Sequence, residues 1–361
     1  MTSSTTQKIL APLAAAAVAV GGLALIDRLP APAAAVTRAI HAPAVLPASQ
    51  APEAPARQSQ ASLSRTDGTD GVVHQAGAVT DEQHDAVLDY WTSDRMAAAQ
   101  PISSLVDSAL GLSGPRRDAA ETEPQAARPD SDGELWGDGG PVARTTGKVY
   151  LTMDGRDFTC SASVVDAANS STLVTAGHCA KDGRGSWARN WTFVPGHDDG
   201  ADPYGRFTAR DLMVSPKWAR QADDSYDFAM VVLNSDDGTP VQDRVGAQRL
   251  AFDTWTEERV REGVQVYTFG YPSASPYDGR DLHYCSGRTV PDTGGTTANG
   301  VRCTMTQGSS GGPWFSDFDT ATGRGTVSSV VSFKYADDRN TQYGPRLGAE
   351  AERLFEHAAK L

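Results

Sequence analysis

From about residue 142 to the C-terminus, short β-branched or aromatic runs alternate with polar clusters. The runs are VYLTM (149–153), SASVV (161–165), STLVTA (171–176), FAMVVL (228–233), VQVYTFGY (264–271) and TVSSVVSF (326–333). Gly, Asp, Asn and Pro separate them at fairly regular intervals, which predicts antiparallel all-β structure, a sandwich or a barrel. The pattern changes once more at AEAERLFEHAAKL (349–361), whose apolar spacing predicts one short C-terminal helix. No internal repeat is evident.

Upstream of 142 the periodicity is mostly lost. Residues 36–62 are rich in Ala, Pro, Ser and Gln, and 113–141 in Pro, Gly, Asp and Arg, so both read as disordered linker. Between them, Val87, Leu88, Trp91 and Met96 fall at roughly helical spacing. This predicts a short helix near 81–100, with Asp81 as N-cap and Pro101 as stop. DGTDG (67–71) lacks the spacing and terminal Glu of a calcium loop and reads as a turn. Lys8 precedes the apolar stretch 9–26, and small residues end at Ala33-Ala34-Ala35, the order of a secretory signal peptide. An uncleaved membrane anchor is the alternative, because the stretch approaches spanning length. Gly21-Gly22, the many alanines and the A-x-A site favour cleavage. The organisation expected is a leader at 1–35, a linker or pro-segment at 36–141, and a folded domain at 142–361.

Charge and cysteines narrow the partners. With 32 basic and 45 acidic residues the net charge is −13, which argues against nucleic acid as a partner. All four cysteines, Cys160, Cys179, Cys285 and Cys303, lie in the C-terminal part. An even count in an exported chain points to two disulfides. Without a C-x-x-C pair a zinc site is not expected, and no other metal is. Three connectivities are open; the local one closes two short loops.

Chemistry enters with TQGSSGGPW (306–314). A serine hydroxyl is a poor nucleophile until a base takes its proton and a third group orients that base. It also needs backbone N–H groups aimed at the developing oxyanion, and glycines around Ser309-Ser310 let the chain curl to supply them. Alone, the stretch would also fit a plain glycine–serine loop. LVTAGHCA (173–180) ends a β-run at His178, beside a cysteine, where a core histidine is the plain alternative. SYDFAMVVL (225–233) carries Asp227 into an apolar strand, which is costly unless the carboxylate is paired.

TAGHC, the isolated Asp-Phe-Ala and GSSGGPW, in that order, resemble the chymotrypsin-like (trypsin-like) serine peptidases. The likeness is greatest to the secreted bacterial branch that includes the glutamyl endopeptidases. HYCSG (283–287), RCTMTQGSSGGPW (302–314) and YTFGYPSASPYDG (267–279) are similar to actinobacterial secreted members, and Trp91-Thr92 with Arg95-Met96 to their N-terminal regions. The resemblance covers about 142–361 and implies an all-β fold of two six-stranded antiparallel barrels with the active site between them. It implies His178 as general base, Asp227 as its orienting acid and Ser310 as nucleophile, with an oxyanion hole from the backbone N–H groups of Gly308 and Ser310. The order His, Asp, Ser differs from the Ser, Asp, His of α/β-hydrolases, and His357, the one histidine after Ser310, lies in the terminal helix.

The resemblance further implies a specificity pocket that includes Thr304, Val331, Ser332 and Lys334. Thr304 replaces the acid of trypsin-like members and Val331 the histidine of glutamyl endopeptidases, so neither charge preference follows. Lys334 either favours an acidic substrate group or obstructs the cleft. Local bridges Cys160–Cys179 and Cys285–Cys303 are expected, because each would hold a catalytic segment still. In family zymogens an aspartate precedes the nucleophile and receives the new N-terminal ammonium; Ser309 cannot make that ion pair. The pro-segment is therefore expected to act as a folding aid or a plug over the cleft, with Trp91 and Met96 as its apolar contacts. The overall expectation is a secreted, extracellular, monomeric serine endopeptidase acting on proteins or peptides, with no cofactor and no stable membrane association after leader removal. A catalytically silent binding protein on the same fold is the alternative.

Overall fold

A computed structural model describes residues 64–65, 71–102 and 127–361. The leader at 1–35, the linker at 36–62 and most of the DGTDG turn lie outside the described residues.

Six strands form the first barrel: β5 (Thr146–Met153), β6 (Arg156–Val164), β7 (Thr172–Thr175), β8 (Arg189–Pro195), β9 (Phe207–Val214) and β10 (Ala229–Leu233). They pair antiparallel in the order β5–β6–β7–β10–β9–β8, and β8 returns to β5, so hydrogen bonds close the ring, although β7 and β8 leave parts of the β6 and β9 edges to other strands. Val149, Leu151, Cys160, Ala162, Leu173, Phe193, Phe207 and Leu212 fill it. Period-two alternation puts Tyr150 and Val194 on the outside, yet both are buried.

Their cover is the N-terminal segment. Strands β1 (Ser64–Arg65) and β2 (Val73–Ala76) extend the first sheet, with β2 antiparallel to β9. Instead of one helix near 81–100 there are two, α1 (Asp81–Tyr90) and α2 (Ser93–Ala98). Thr80, not Asp81, caps α1: its hydroxyl accepts from Gln83 N–H while the Gln83 side chain takes Thr80 N–H. The helical run breaks at Trp91 because that indole turns down onto the outer face of the barrel. Trp91 is 1% exposed, packs at a tilt against Tyr150 with ring centroids 5.5 Å apart, and donates Nε1–H to Asn190 O at 2.5 Å. Thr92 then caps α2, Met96 joins Trp91 over Tyr150 and Val194, and the short β3 (Gln100–Pro101) pairs parallel with β6.

The linker expected at 113–141 is corrected over its last part. Strand β4 (Ser131–Leu135) lies antiparallel to β13 (His283–Arg288), and Trp136 is buried edge-on against Phe269 and Tyr284. SDGEL carries no apolar alternation because β4 is a sheet-edge strand joined mainly through its backbone, which side-chain periodicity does not report. Ordered structure of the domain thus begins ahead of residue 142.

The second half has two sheets where one ring of six strands was expected. The first joins β11 (Arg249–Leu250), β12 (Gln265–Gly270), β13, β16 (Pro313–Asp319), β17 (Arg324–Val330) and β4; the second joins β14 (Val290–Pro291), β15 (Asn299–Arg302), β18 (Phe333–Tyr335) and β19 (Asp338–Gly344). No ladder links β13 to β15; the Cys285–Cys303 disulfide bridges that seam. The C-terminal helix, Ala349–Ala358, buries Ala351, Leu354 and Ala358 in a core shared with Met230 and Val232 of the first barrel.

Candidate active site

His178 sits in a one-turn 3-10 helix, Gly177–Cys179, directly after β7, where the Cys160–Cys179 bridge ties it to β6. Gly177 is required by close approach: a Cβ there would lie 2.9 Å from both an Asp227 carboxylate oxygen and the Trp218 ring. Asp227 ends a second 3-10 turn just before β10. Its Oδ1 accepts His178 N–H at 2.7 Å, and its Oδ2 lies 2.7 Å from His178 Nδ1 and accepts the Ser332 hydroxyl at 2.5 Å. Three donors on one buried carboxylate fix both its position and its charge.

Burial by itself pushes the Asp227 carboxyl up, but the His178 charge and these hydrogen bonds override it and hold the group below the ordinary value. Burial likewise pushes the His178 imidazole down, and the Asp227 charge and hydrogen bond reverse this to a net rise. Asp224, next to the pair, is raised to about 6 by burial and then by the Asp227 charge. The Asp227 bond fixes Nδ1 as the protonated nitrogen of a neutral imidazole, leaving Nε2 with its lone pair. Nε2 is buried and has no hydrogen-bond partner among the described residues.

The two serines of GSSGG have different surroundings. Ser309 is 1% exposed and its hydroxyl donates to Thr306 O at 2.8 Å. Ser310 is 7% exposed, and its hydroxyl carries no hydrogen bond among the described residues. Its carbonyl accepts Ser161 N–H of β6 at 2.7 Å, and the Ser161 hydroxyl donates to Gly308 O at 2.9 Å. The GSSGG loop of the second half is thereby docked on the first barrel. Gly308 has φ +99° and a Cβ there would meet Tyr271 O at 2.7 Å, so this turn demands glycine. The Gly308 and Ser310 N–H groups meet no acceptor among the described residues, as an oxyanion site requires.

The remaining residues separate. Thr304 N–H donates to Asp132 O at 2.7 Å, and the Thr304 hydroxyl contacts Asp132 O and, at 3.1 Å, Tyr277 OH. Val331 is buried with Met305 and Trp314 and pairs through its backbone with Gly311 and Gly312. Ser332, expected on a pocket wall, bonds Asp227. Lys334 Nζ donates to Cys303 O at 2.6 Å and Arg339 O at 2.8 Å, and burial pushes its ammonium down to about 8. Asp132 and Tyr277 went unnoticed in the sequence, the first because it was read as linker. Ser332 was read from the sequence as a pocket residue, and its bond to Asp227 was not legible there because the two lie far apart along the chain. Among the described residues Cys160, His178 and Cys179 cluster closely enough to suggest a metal site, but both sulfurs are joined in the disulfide and offer no thiolate.

Comparison with known proteins identifies the family and the fold. The Trypsin family model matches residues 139–346. A thermostable serine protease from an extremophilic microorganism is 38% identical with TM-score 0.56, over 61% of this chain and 99% of that one. The protease Anisep from Arthrobacter nicotinovorans is 37% identical with TM-score 0.56, over 60% of this chain and 96% of that one. A Glu endopeptidase structure, 18% identical with TM-score 0.50 over 64% of this chain and 98% of that one, shares the fold. One stretch of 73 residues is 33% identical to the Extracellular metalloprotease of Bacillus subtilis, covering 20% of this chain and 23% of that protein's length. With a family model spanning more than half of its length and two bacterial serine proteases covered almost entirely, the chain belongs to the trypsin family of chymotrypsin-like serine proteases.

Proposed function

We propose that this protein is a secreted serine endopeptidase that hydrolyses peptide bonds through an acyl-enzyme, with Ser310, His178 and Asp227 as its triad. The observation that carries the reading is the Asp227–His178 pair, with Nε2 unpartnered and the neighbouring loop offering one free serine hydroxyl. Ser310 Oγ attacks the scissile carbonyl as Nε2 takes its proton, and the Gly308 and Ser310 N–H groups receive the oxyanion. His178 then protonates the leaving amine, and water, activated by the same nitrogen, releases the acyl group. Asp227 holds the tautomer and stabilises the imidazolium.

Lys8, the apolar stretch 9–26 and Ala33–Ala35 support residues 1–35 as a cleaved leader, and two disulfides suit an oxidising compartment. Substrates are proteins or peptides, and the enzyme acts as a monomer. No helix among the described residues is long and apolar enough to cross a membrane. Fluorophosphonate labelling tests the reading: one adduct on Ser310, absent from Ser310→Ala and present in Ser309→Ala. An intact cleft that takes no label would favour a silent binding protein.

A further inference from the structure

An extended peptide cleaved at Ser310 needs strand edges on which to lie, and β6 provides one. From Cys160 the strand runs to Ser161, whose N–H and hydroxyl hold the carbonyls of Ser310 and Gly308. Thr159 is therefore the first residue of that strand just outside the nucleophile loop. The edges of β6 are unequally used. β5 takes one along the whole strand, from Arg156 to Ser163, whereas β7 takes the other only at Ser163 and Val164. At Phe158 and Thr159 the second edge would be open to a peptide.

It is closed by this chain's own residues. Gln100 and Pro101 pair with Phe158 and Thr159, and Ile102 N–H donates to Thr159 O at 3.1 Å. Gln100, Pro101 and Ile102 also wall a cavity of about 510 Å³ whose other lining includes His178, Asp227 and Phe333. The strand cannot drift away easily. Arg156 donates to the Gln100 side chain at 2.9 Å, Arg95 and Tyr90 both bond Asp157, and the Trp91 anchor lies ten residues upstream.

We propose that Gln100–Ile102 is an intramolecular competitor of substrate: it occupies the β6 edge that must receive the peptide beyond the scissile bond. The reading rests on the triad at Ser310 described above. Tethering gives such a competitor an effective concentration on the order of millimolar, so modest contacts suffice to hold it in place. The device differs from the ammonium–aspartate switch that Ser309 precludes. It leaves the triad assembled and blocks only long substrates. Small acylating reagents, which need no strand edge, should be turned over freely while proteins are not.

The test compares two substrates in the full chain, 4-nitrophenyl acetate and denatured casein. Ile102→Pro deletes the N–H that bonds Thr159 O. Its kcat/KM on casein should rise about tenfold, the upper range for one net backbone hydrogen bond, while that on 4-nitrophenyl acetate stays within twofold of the parent. Gln100→Ala, which loses only the Arg156 contact, should move the same ratio by a smaller factor. An unchanged casein-to-ester ratio in both variants would overturn the proposal. A second measurement does not depend on chemistry at Ser310 or on either variant folding. In Ser310→Ala, hydrogen exchange of Ile102 N–H should quicken when denatured casein is added, because the peptide displaces the strand. Exchange that stays slow with casein demonstrably bound would defeat the competitor reading. Absence of ester turnover and of fluorophosphonate labelling in every form would instead defeat the triad reading alone.

Discussion

The two halves of the molecule are held together by different means. The first barrel is a ring whose every strand has two hydrogen-bonded neighbours, and it carries both His178 and Asp227. The second half is two sheets with a disulfide at the seam, and it carries Ser310 on a glycine-rich loop together with the residues around Thr304 and Lys334. The charged pair, whose geometry tolerates little error, is built in the closed ring with three donors on one carboxylate. Ser310 comes from the more open half, yet its loop is fastened to the ring through Ser161.

Substitutions at the triad should break this division most severely. By comparison with serine-protease triads elsewhere, Ser310→Ala should lower kcat by roughly a millionfold and Asp227→Asn by about ten thousandfold. Ser309→Ala, which removes a hydroxyl already bonded to Thr306 O, should change kcat less than about tenfold, in line with a single neutral hydrogen bond. Single-turnover rates on an ester measure the ranking, and equal losses at Ser309 and Ser310 would show the roles to be misassigned.

The disulfides should show the next largest contrast. Closing loops of 19 and 18 residues, each bridge contributes about 3 kcal/mol on the chain-entropy model. The kinetic consequences should differ. Replacing Cys160 and Cys179 by alanine frees the turn that carries His178 and should reduce kcat. Replacing Cys285 and Cys303 opens the seam beside Thr304 and Lys334 and should raise KM with kcat nearly kept. Denaturant melts of both double variants, read beside their kinetics, test this; a kcat loss confined to the Cys285–Cys303 variant would reverse the assignment.

The smallest effect is on pH. With the imidazole raised above its ordinary 6.5, kcat/KM should climb through an apparent pKa above that value as His178 loses its proton. The stability of the pair runs the other way. The raised His178 contributes stability that is complete below about 6.5 and is lost as pH rises through its folded value. The lowered Asp227 contributes stability present above its ordinary 3.8 and lost as pH falls through its folded value. The pair should therefore stabilise the fold most between about pH 4 and 6.5, where catalysis is weakest. Activity and melting temperature measured across pH 4 to 9 should peak apart; a rate profile flat from pH 5 to 8 would argue against a histidine base.

Much was legible in the chain itself, and for local reasons. Short β-branched runs between turn residues identify strands because alternation and turn chemistry act over a few neighbours. His178, Asp227 and Ser310 stand out because each breaks its surroundings: an acid entering an apolar strand, a histidine at a strand end, serines among glycines. Cys160 and Cys179 lie close in sequence, on either side of a single strand. The nineteen-residue spacing left the pairing open, and the strand geometry joins them.

Tertiary structure decided what depends on partners far along the chain. Strand β4 is invisible to periodicity because its backbone, not its side chains, meets β13. Trp91 ends α1 because a pocket beside Tyr150 and Asn190 receives its ring, and no local rule anticipates that pocket. Ser332 and Asp227 are 105 positions apart, and only the packing of the two halves turns a strand-end serine into the third donor on a buried carboxylate. The sequence determined which residue types could do the chemistry. Ser309 is committed locally, to Thr306 O three residues away. Long-range contacts determined how Ser310 is held, because the donor its carbonyl meets, Ser161 N–H of β6, is brought to it only by the packing of the two halves.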